Sequence, residues 1–236
     1  MESLTAKLLS QEFHLPPVFD LGAVFFFALT GALTAMRRGY DFIGLFTIAF
    51  VSGLGGALMR DGIFLQGGPP LLTTDARYLI AVAAACLAGW IVGHRLDRFR
   101  KLIAVLDAIG LGAYTVVGVQ KSLAADLSIP AALMVGAINA CGGGLLRDII
   151  TREEPLMLKP GQFYVMASLL GGCLFIAGTQ YLQLPATAAA LTAVGVTFIF
   201  RMLAIVFNWR TVAIQPLRFE TEEDKSKPDP TNDPPT

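Results

Sequence analysis

Gly142-Gly143-Gly144-Leu145-Leu146-Arg147-Asp148 is the stretch on which the reading of this chain turns, and it has a second copy, Gly55-Gly56-Ala57-Leu58-Met59-Arg60-Asp61. Each copy closes an apolar run long enough to sit in a bilayer. Adjacent glycines therefore stand at membrane depth, about one turn before an Arg-Asp pair. Glycine lacks a Cβ and weakens a helix, so each cluster is expected to kink or unwind its helix. Lipid offers no partner to freed N–H and C=O groups, which confines unwound backbone to sites buried in protein or lining a wet cavity. Two such breaks in one small membrane protein imply a route for a polar solute. The competing expectation is that these small residues let two helices pack closely.

Composition supports a membrane setting. The 236 residues are 54% hydrophobic and only 15% charged, with a mean hydropathy of +0.61, whereas soluble domains carry about 25% charged residues. The net charge of zero gives no basic footprint for nucleic acid. Cys86, Cys141 and Cys173 fall inside apolar runs without metal-ligand spacing, and are expected to be small apolar side chains. His14 and His94 sit near span ends, so neither a metal site nor a cofactor is expected. No nucleophile–base or paired-carboxylate constellation occurs within the spans, so the chain is expected not to be an enzyme. No cleavable leader is expected at the N-terminus.

Hydropathy divides the chain into seven spans: 18–36, 42–59, 77–93, 102–120, 130–146, 163–180 and 185–207. A charged loop is expected from Arg147 to Lys159, and the Pro-rich, charged residues 211–236 are expected to be disordered. Lys and Arg are unevenly shared between the two sides. One side receives Arg37, Arg38, Arg95, Arg98, Arg100, Lys101, Arg147, Arg152, Lys159, Arg210 and Arg218; the other receives Lys7, Arg60, Arg77 and Lys121. The positive side faces the cytoplasm. This predicts a multi-pass protein of the cell (inner) membrane, N-terminus outside and C-terminus cytoplasmic.

The duplication extends beyond the glycine motif. A shift of 87 residues aligns Asp20 with Asp107, Gly31 with Gly118, Ser52 with Asn139, and Arg60-Asp61 with Arg147-Asp148. Three spans per half force the second copy to enter the bilayer from the opposite side. The expected fold is thus all-α: a 3+3 inverted repeat plus a seventh helix that packs or fixes an oligomer. The domain division is a lead-in at 1–17, repeats at 18–101 and 102–184, the seventh helix at 185–210, and a cytoplasmic tail at 211–236.

This combination of inverted repeat, paired glycine and Arg-Asp motifs, and a seventh span around Arg201 resembles the prokaryotic TRIC (trimeric intracellular cation) channels, a family also labelled by a glycine transporter domain. The resemblance covers residues from about 18 to 210. It implies a homotrimer with one pore per protomer, passing monovalent cations such as K⁺ or Na⁺, with kinked second and fifth helices lining each pore. The first cluster departs from three glycines, reading Gly55-Gly56-Ala57. The alternative is a secondary transporter for a small neutral amino acid such as glycine; a purely structural protein is a third class. Midplane polarity is sparse, which suits weak ion passage better than a tight amino-acid site.

Candidate pore-lining and gating residues are Ser52, Gly55, Gly56, Lys121, Asn139, Gly142, Gly143 and Gly144, with Thr34, Thr47 and Thr115 as weaker candidates that can bond their own helices. Lys121, aligned with Thr34, is read as snorkelling to the interface or as an ammonium gate at the mouth. Arg60, Asp61, Arg147, Asp148 and Arg201 are candidate ion-pair residues, with Arg201 expected to pair with Asp148. Neighbours in sequence do not face each other on a helix, so each Arg-Asp pair need not bond itself; the pairs are read either as interfacial stops and anchors or as a cross-repeat ion-pair network. Asp20 and Asp107 are expected at or near helix starts, favoured by the N-terminal dipole, with a cation-attracting vestibule as the alternative.

Overall fold

The computed structural model describes residues 15–93, 99–159 and 163–209. Lys7, His14, His94, Arg95, Arg98, Arg210, Arg218 and the tail lie outside them. The described residues form seven long helices: α1 Val18–Arg37, α2 Phe42–Met59, α3 Ala76–Val92, α4 Phe99–Ala124, α5 Ile129–Ile150, α6 Tyr164–Ile176 and α7 Ala186–Val206. Six, with their continuations, are long and apolar enough to cross a membrane; α3 is apolar but only 17 residues long. The chain is a multi-pass membrane protein.

Local chemistry sets the ends. The Asp41 carboxylate caps α2 by accepting from the Gly44 N–H at 2.8 Å, and Asp75 caps α3 by accepting from the Arg77 N–H at 2.9 Å. Pro130 occupies the first turn of α5, where its missing N–H costs nothing. α2 runs on as a π-helical stretch, Arg60–Leu65, that ends at Gln66 in the left-handed region (φ 47°). α6 continues likewise through Ala177–Tyr181. Two sequence expectations shift. α4 extends a few residues past its expected end, so Lys121 stands in its last turn and not beyond it. Arg147 and Asp148 belong to the last turns of α5, not to a loop.

α1 and α4, the first helices of the two repeats, form the centre. Phe27 and Tyr114, fully buried and separated by the repeat interval, stack with ring centroids 5.4 Å apart. Each of their backbone carbonyls accepts from a matched polar residue: Phe27 O from Ser52 Oγ at 2.8 Å, and Tyr114 O from Asn139 Nδ2 at 2.6 Å. The inverted repeat is therefore present in the packing. α7 is peripheral, with one-third of its span buried against 72% for α4.

The glycine clusters do not unwind. α2 and α5 remain α-helical through Gly55–Gly56 and Gly142–Gly144, which corrects the expected unwinding. The glycines instead form the crossing of the two helices. A Cβ on Gly56 would collide with the Asn139 carbonyl oxygen, and one on Gly143 with that of Ser52. Gly142 Cβ would stand 3.1 Å from Gly56 Cα, and Gly55 Cβ 3.5 Å from Gly143 Cα. Both contacts are reciprocal under the 87-residue shift. The reason is steric: only glycine lets the α2 and α5 backbones approach this closely.

Candidate functional site

The crossing of α2 and α5 separates two clusters of buried charge, one toward each end of the bundle. The first gathers Asp20 from the opening turn of α1, Arg60 and Asp61 from the π-helical end of α2, Tyr78 from α3, Lys121 from α4 and Asn139 from α5. Lys121 Nζ lies 2.6 Å from Asp20 Oδ2, and the Tyr78 hydroxyl donates to the same oxygen at 2.8 Å. Arg60, with no exposed surface, donates to both Asp61 oxygens at 2.6 and 2.9 Å and to Asn139 Oδ1 at 3.3 Å. Its Nη1 also lies 4.0 Å from Asp20 Oδ1. Adjacent Arg60 and Asp61 thus pair with each other, since a long arginine side chain can reach a neighbour that the Cβ directions keep apart. Cross-repeat partners also exist, since Lys121–Asp20 and Arg60–Asn139 each join the two halves.

The second cluster holds Asp107 from α4, Arg147 and Asp148 from α5, Thr30 from α1, Tyr164 from α6 and Arg201 from α7. Arg147 donates to Asp148 at 2.8 Å, to the Thr30 hydroxyl at 2.8 Å and to Asp107 at 3.4 Å. The second Asp148 oxygen accepts from the Leu156 N–H at 3.2 Å, tying the loop after α5 to the cluster. Gly144 stands against this group: a Cβ there would meet the Tyr164 hydroxyl at 3.6 Å, Arg147 Nη2 at 3.7 Å and Asp107 Oδ1 at 3.9 Å. The Arg201 guanidinium lies over the Tyr164 ring, 4.8 Å from its centroid. A recess of about 230 Å³ opens beside Thr34, Arg147, Asp148 and Arg201. Asp107 is the ninth residue of α4, so the expected helix-start role holds for Asp20 alone.

Glu153 guards the rim of this recess, where it receives the Arg37 guanidinium and Arg38 Nη2, the latter at 2.9 Å. Burial alone would push its carboxyl up, but the hydrogen bonds and charges of Arg37 and Arg38 outweigh this and hold it below its ordinary value.

Ser52 and Asn139 are both fully buried at the waist between the clusters. Ser52 Oγ lies 3.5 Å from Thr30 Oγ1, so polar side chains run from Arg147 through Thr30 to Ser52, and from Arg60 to Asn139. The Phe27–Tyr114 stack stands between the two runs, with the Tyr114 hydroxyl donating to Gly53 O. Thr34, Thr47 and Thr115 bond their own helices, as expected. Tyr78, Tyr164, Thr30, Phe27 and Tyr114 were absent from the sequence candidates; the aromatic pair was accessible through the 87-residue match. Among the described residues, no His, Cys, Asp and Glu side chains group as a metal site.

The whole arrangement is built from two copies of one unit, and comparison with known proteins finds that unit twice. The family model described as "Glycine transporter" matches residues 17–94 and 104–180. This chain belongs to that family. A UPF0126 membrane protein of Vibrio cholerae is 31% identical over 189 residues, covering 80% of this chain and 78% of the relative. The UPF0126 inner membrane protein YadS of Escherichia coli K12 is 28% identical over 187 residues, covering 79% and 89%. Among solved structures, the TRIC trimeric intracellular cation channel orthologue from Rhodobacter sphaeroides superposes with a TM-score of 0.76 at 27% identity, covering 81% of this chain and 97% of that one. The chain has the TRIC fold, and its structural neighbours are ion channels, not enzymes.

Proposed function

We propose that this chain is a monovalent cation channel of the inner membrane, passing K⁺ or Na⁺, assembled as a homotrimer with one pore per protomer along the seam where the two repeats meet. The N-terminus is outside and the C-terminus cytoplasmic, following the bias of Lys and Arg. The observation that carries the reading is the Lys121–Asp20 contact, an ammonium of one repeat held by a carboxylate of the other, and in this reading it is the gate of one mouth. Asp20 and Asp61 are there balanced by Arg60 and Lys121. Withdrawal of the ammonium leaves the mouth with a net negative charge, attractive to a cation. Ser52 and Asn139 supply polarity at the waist. The glycines act as the close crossing of α2 and α5 that brings these groups together, with Gly144 alone facing a charge cluster. Likeness to a cation channel of the same fold supports the reading.

The family's description raises glycine transport as the second reading. An amino-acid site needs free groups for an ammonium and a carboxylate. At the waist, Ser52 and Asn139 are committed to the Phe27 and Tyr114 carbonyls and to Arg60, which disfavours it. The test is K⁺ flux from proteoliposomes driven by the K⁺ gradient alone. Flux above that of empty liposomes, raised by Lys121→Met, is expected; flux equal to empty liposomes overturns the channel, and a Lys121→Met variant with unaltered flux overturns the gate.

A further inference from the structure

The two charge clusters match in every charged residue of the repeat but one. Asp20, Arg60 and Asp61 have Asp107, Arg147 and Asp148 as counterparts, yet the position of Lys121 in the first repeat is Thr34. Symmetry alone would leave the second mouth with two carboxylates against one guanidinium. Both carboxylates are buried there, Asp107 at 1% exposure and Asp148 at 4%, and an unbalanced charge in such a place is costly. Thr34 does not fill the role, since its hydroxyl turns back to the Thr30 carbonyl at 2.8 Å.

The missing cation arrives from outside the repeat. Arg201 on α7, 2% exposed, lines the same recess as Thr34, Arg147 and Asp148. The parallel extends to the aromatic neighbours. Tyr78 sits beside Lys121 on the Asp20 carboxylate, and Tyr164 lies under Arg201 with its hydroxyl beside Asp107. The more exposed rim adds Arg37, Arg38 and Lys159 against Glu153 and Glu154, where Arg37 and Arg38 are engaged by Glu153 and not by Asp107 or Asp148.

We propose that Arg201 is the gating cation of the second mouth, the counterpart of Lys121 supplied by the unpaired seventh helix, so that each protomer carries two charge-balanced gates in series. This rests on the reading of Lys121 as a gate. It gives α7 a role in permeation and explains why a helix without a partner in the repeat carries a buried arginine.

The test is K⁺ flux from proteoliposomes for the full chain and four variants, each checked for folding by thermal unfolding. Lys121→Met and Arg201→Met are each expected to raise flux, roughly tenfold for removal of one buried charge at a mouth. Gates in series make the effects of the combined variant multiply. Thr34→Lys placed in Arg201→Met returns the cation from the position that symmetry assigns, and is expected to bring flux back to the wild-type level. Lys121→Met raising flux while folded Arg201→Met stays at the wild-type level overturns the second gate and leaves the first standing. No response to Lys121→Met overturns the reading beneath both. Should Arg201→Met fail to fold, the Thr34→Lys/Arg201→Met protein decides alone: wild-type flux supports the inference, and raised flux overturns it.

Discussion

Replacing Gly143 by Ala puts the packing of α2 against α5 to a direct test. The added Cβ would overlap the Ser52 carbonyl oxygen and stand 3.1 Å from the carbonyl carbon. The obstacle is backbone inside a helix, which no rotamer change can move aside. α2 and α5 must separate, and with them the Arg60–Asn139 bond that joins the two helices. Overpacking of this kind costs about 3 kcal/mol, the upper end of its usual range. The helix itself gains up to about 1 kcal/mol from the loss of a glycine. A net loss of about 2 kcal/mol lowers the melting temperature of a chain this size by about 4–8 °C. Thermal unfolding in detergent, followed by circular dichroism, measures it. Gly195→Ala on α7, where nothing lies within 4 Å of the new Cβ, is the control and should melt at or above the wild-type temperature. A Gly143→Ala protein as stable as wild type would refute the close crossing and restore the glycines as a flexible break.

Three further outcomes follow from the charge clusters and the waist. Arg60→Met leaves Asp20 and Asp61 facing only Lys121 and should cost about 3–5 kcal/mol in thermal unfolding; an unchanged melting point would mean that the arginine does not balance them. Tyr114→Phe keeps the stack on Phe27 but deprives Gly53 O of its side-chain donor, a loss of about 0.5–1.5 kcal/mol in the same assay, and a stabilised variant would contradict the bond. The Glu153 carboxyl is held below its ordinary value, so its contacts with Arg37 and Arg38 contribute fully above pH 4.5 and fade as pH falls through the lowered value. The stability gap between wild type and Glu153→Gln should therefore be present at neutral pH, stay under about 1 kcal/mol because the pair is partly exposed, and close in acid; a gap that widens in acid would reverse the sign of the contact.

Spans and repeat were legible because both depend on residue type alone: apolar length gives the helices, and identical charges at a fixed interval give the duplication. The role of the glycines was not legible. A Gly-Gly pair weakens a helix and also admits a neighbour, and only the Asn139 and Ser52 carbonyls standing opposite decide for the second. Lys121 and Asp20 were both visible as candidates, but 101 residues separate them and no local pattern joins them. The bond from Arg60 to the adjacent Asp61 was not legible, because helix geometry fixes Cβ directions but not the reach of a long guanidinium side chain. Tyr78 and Tyr164 escaped because they sit one residue out of register with the repeat, Tyr164 falling opposite Arg77. Thr30 escaped because its counterpart is the apolar Val117.

The proposed function stands or falls on a passive cation route along the seam between the repeats. Parallel flux of K⁺ and of glycine into liposomes holding the purified protein tests it most directly. K⁺ flux with neither a proton nor a sodium gradient, and no glycine uptake, is expected. Saturable glycine uptake coupled to an ion gradient, without K⁺ conductance, would contradict it.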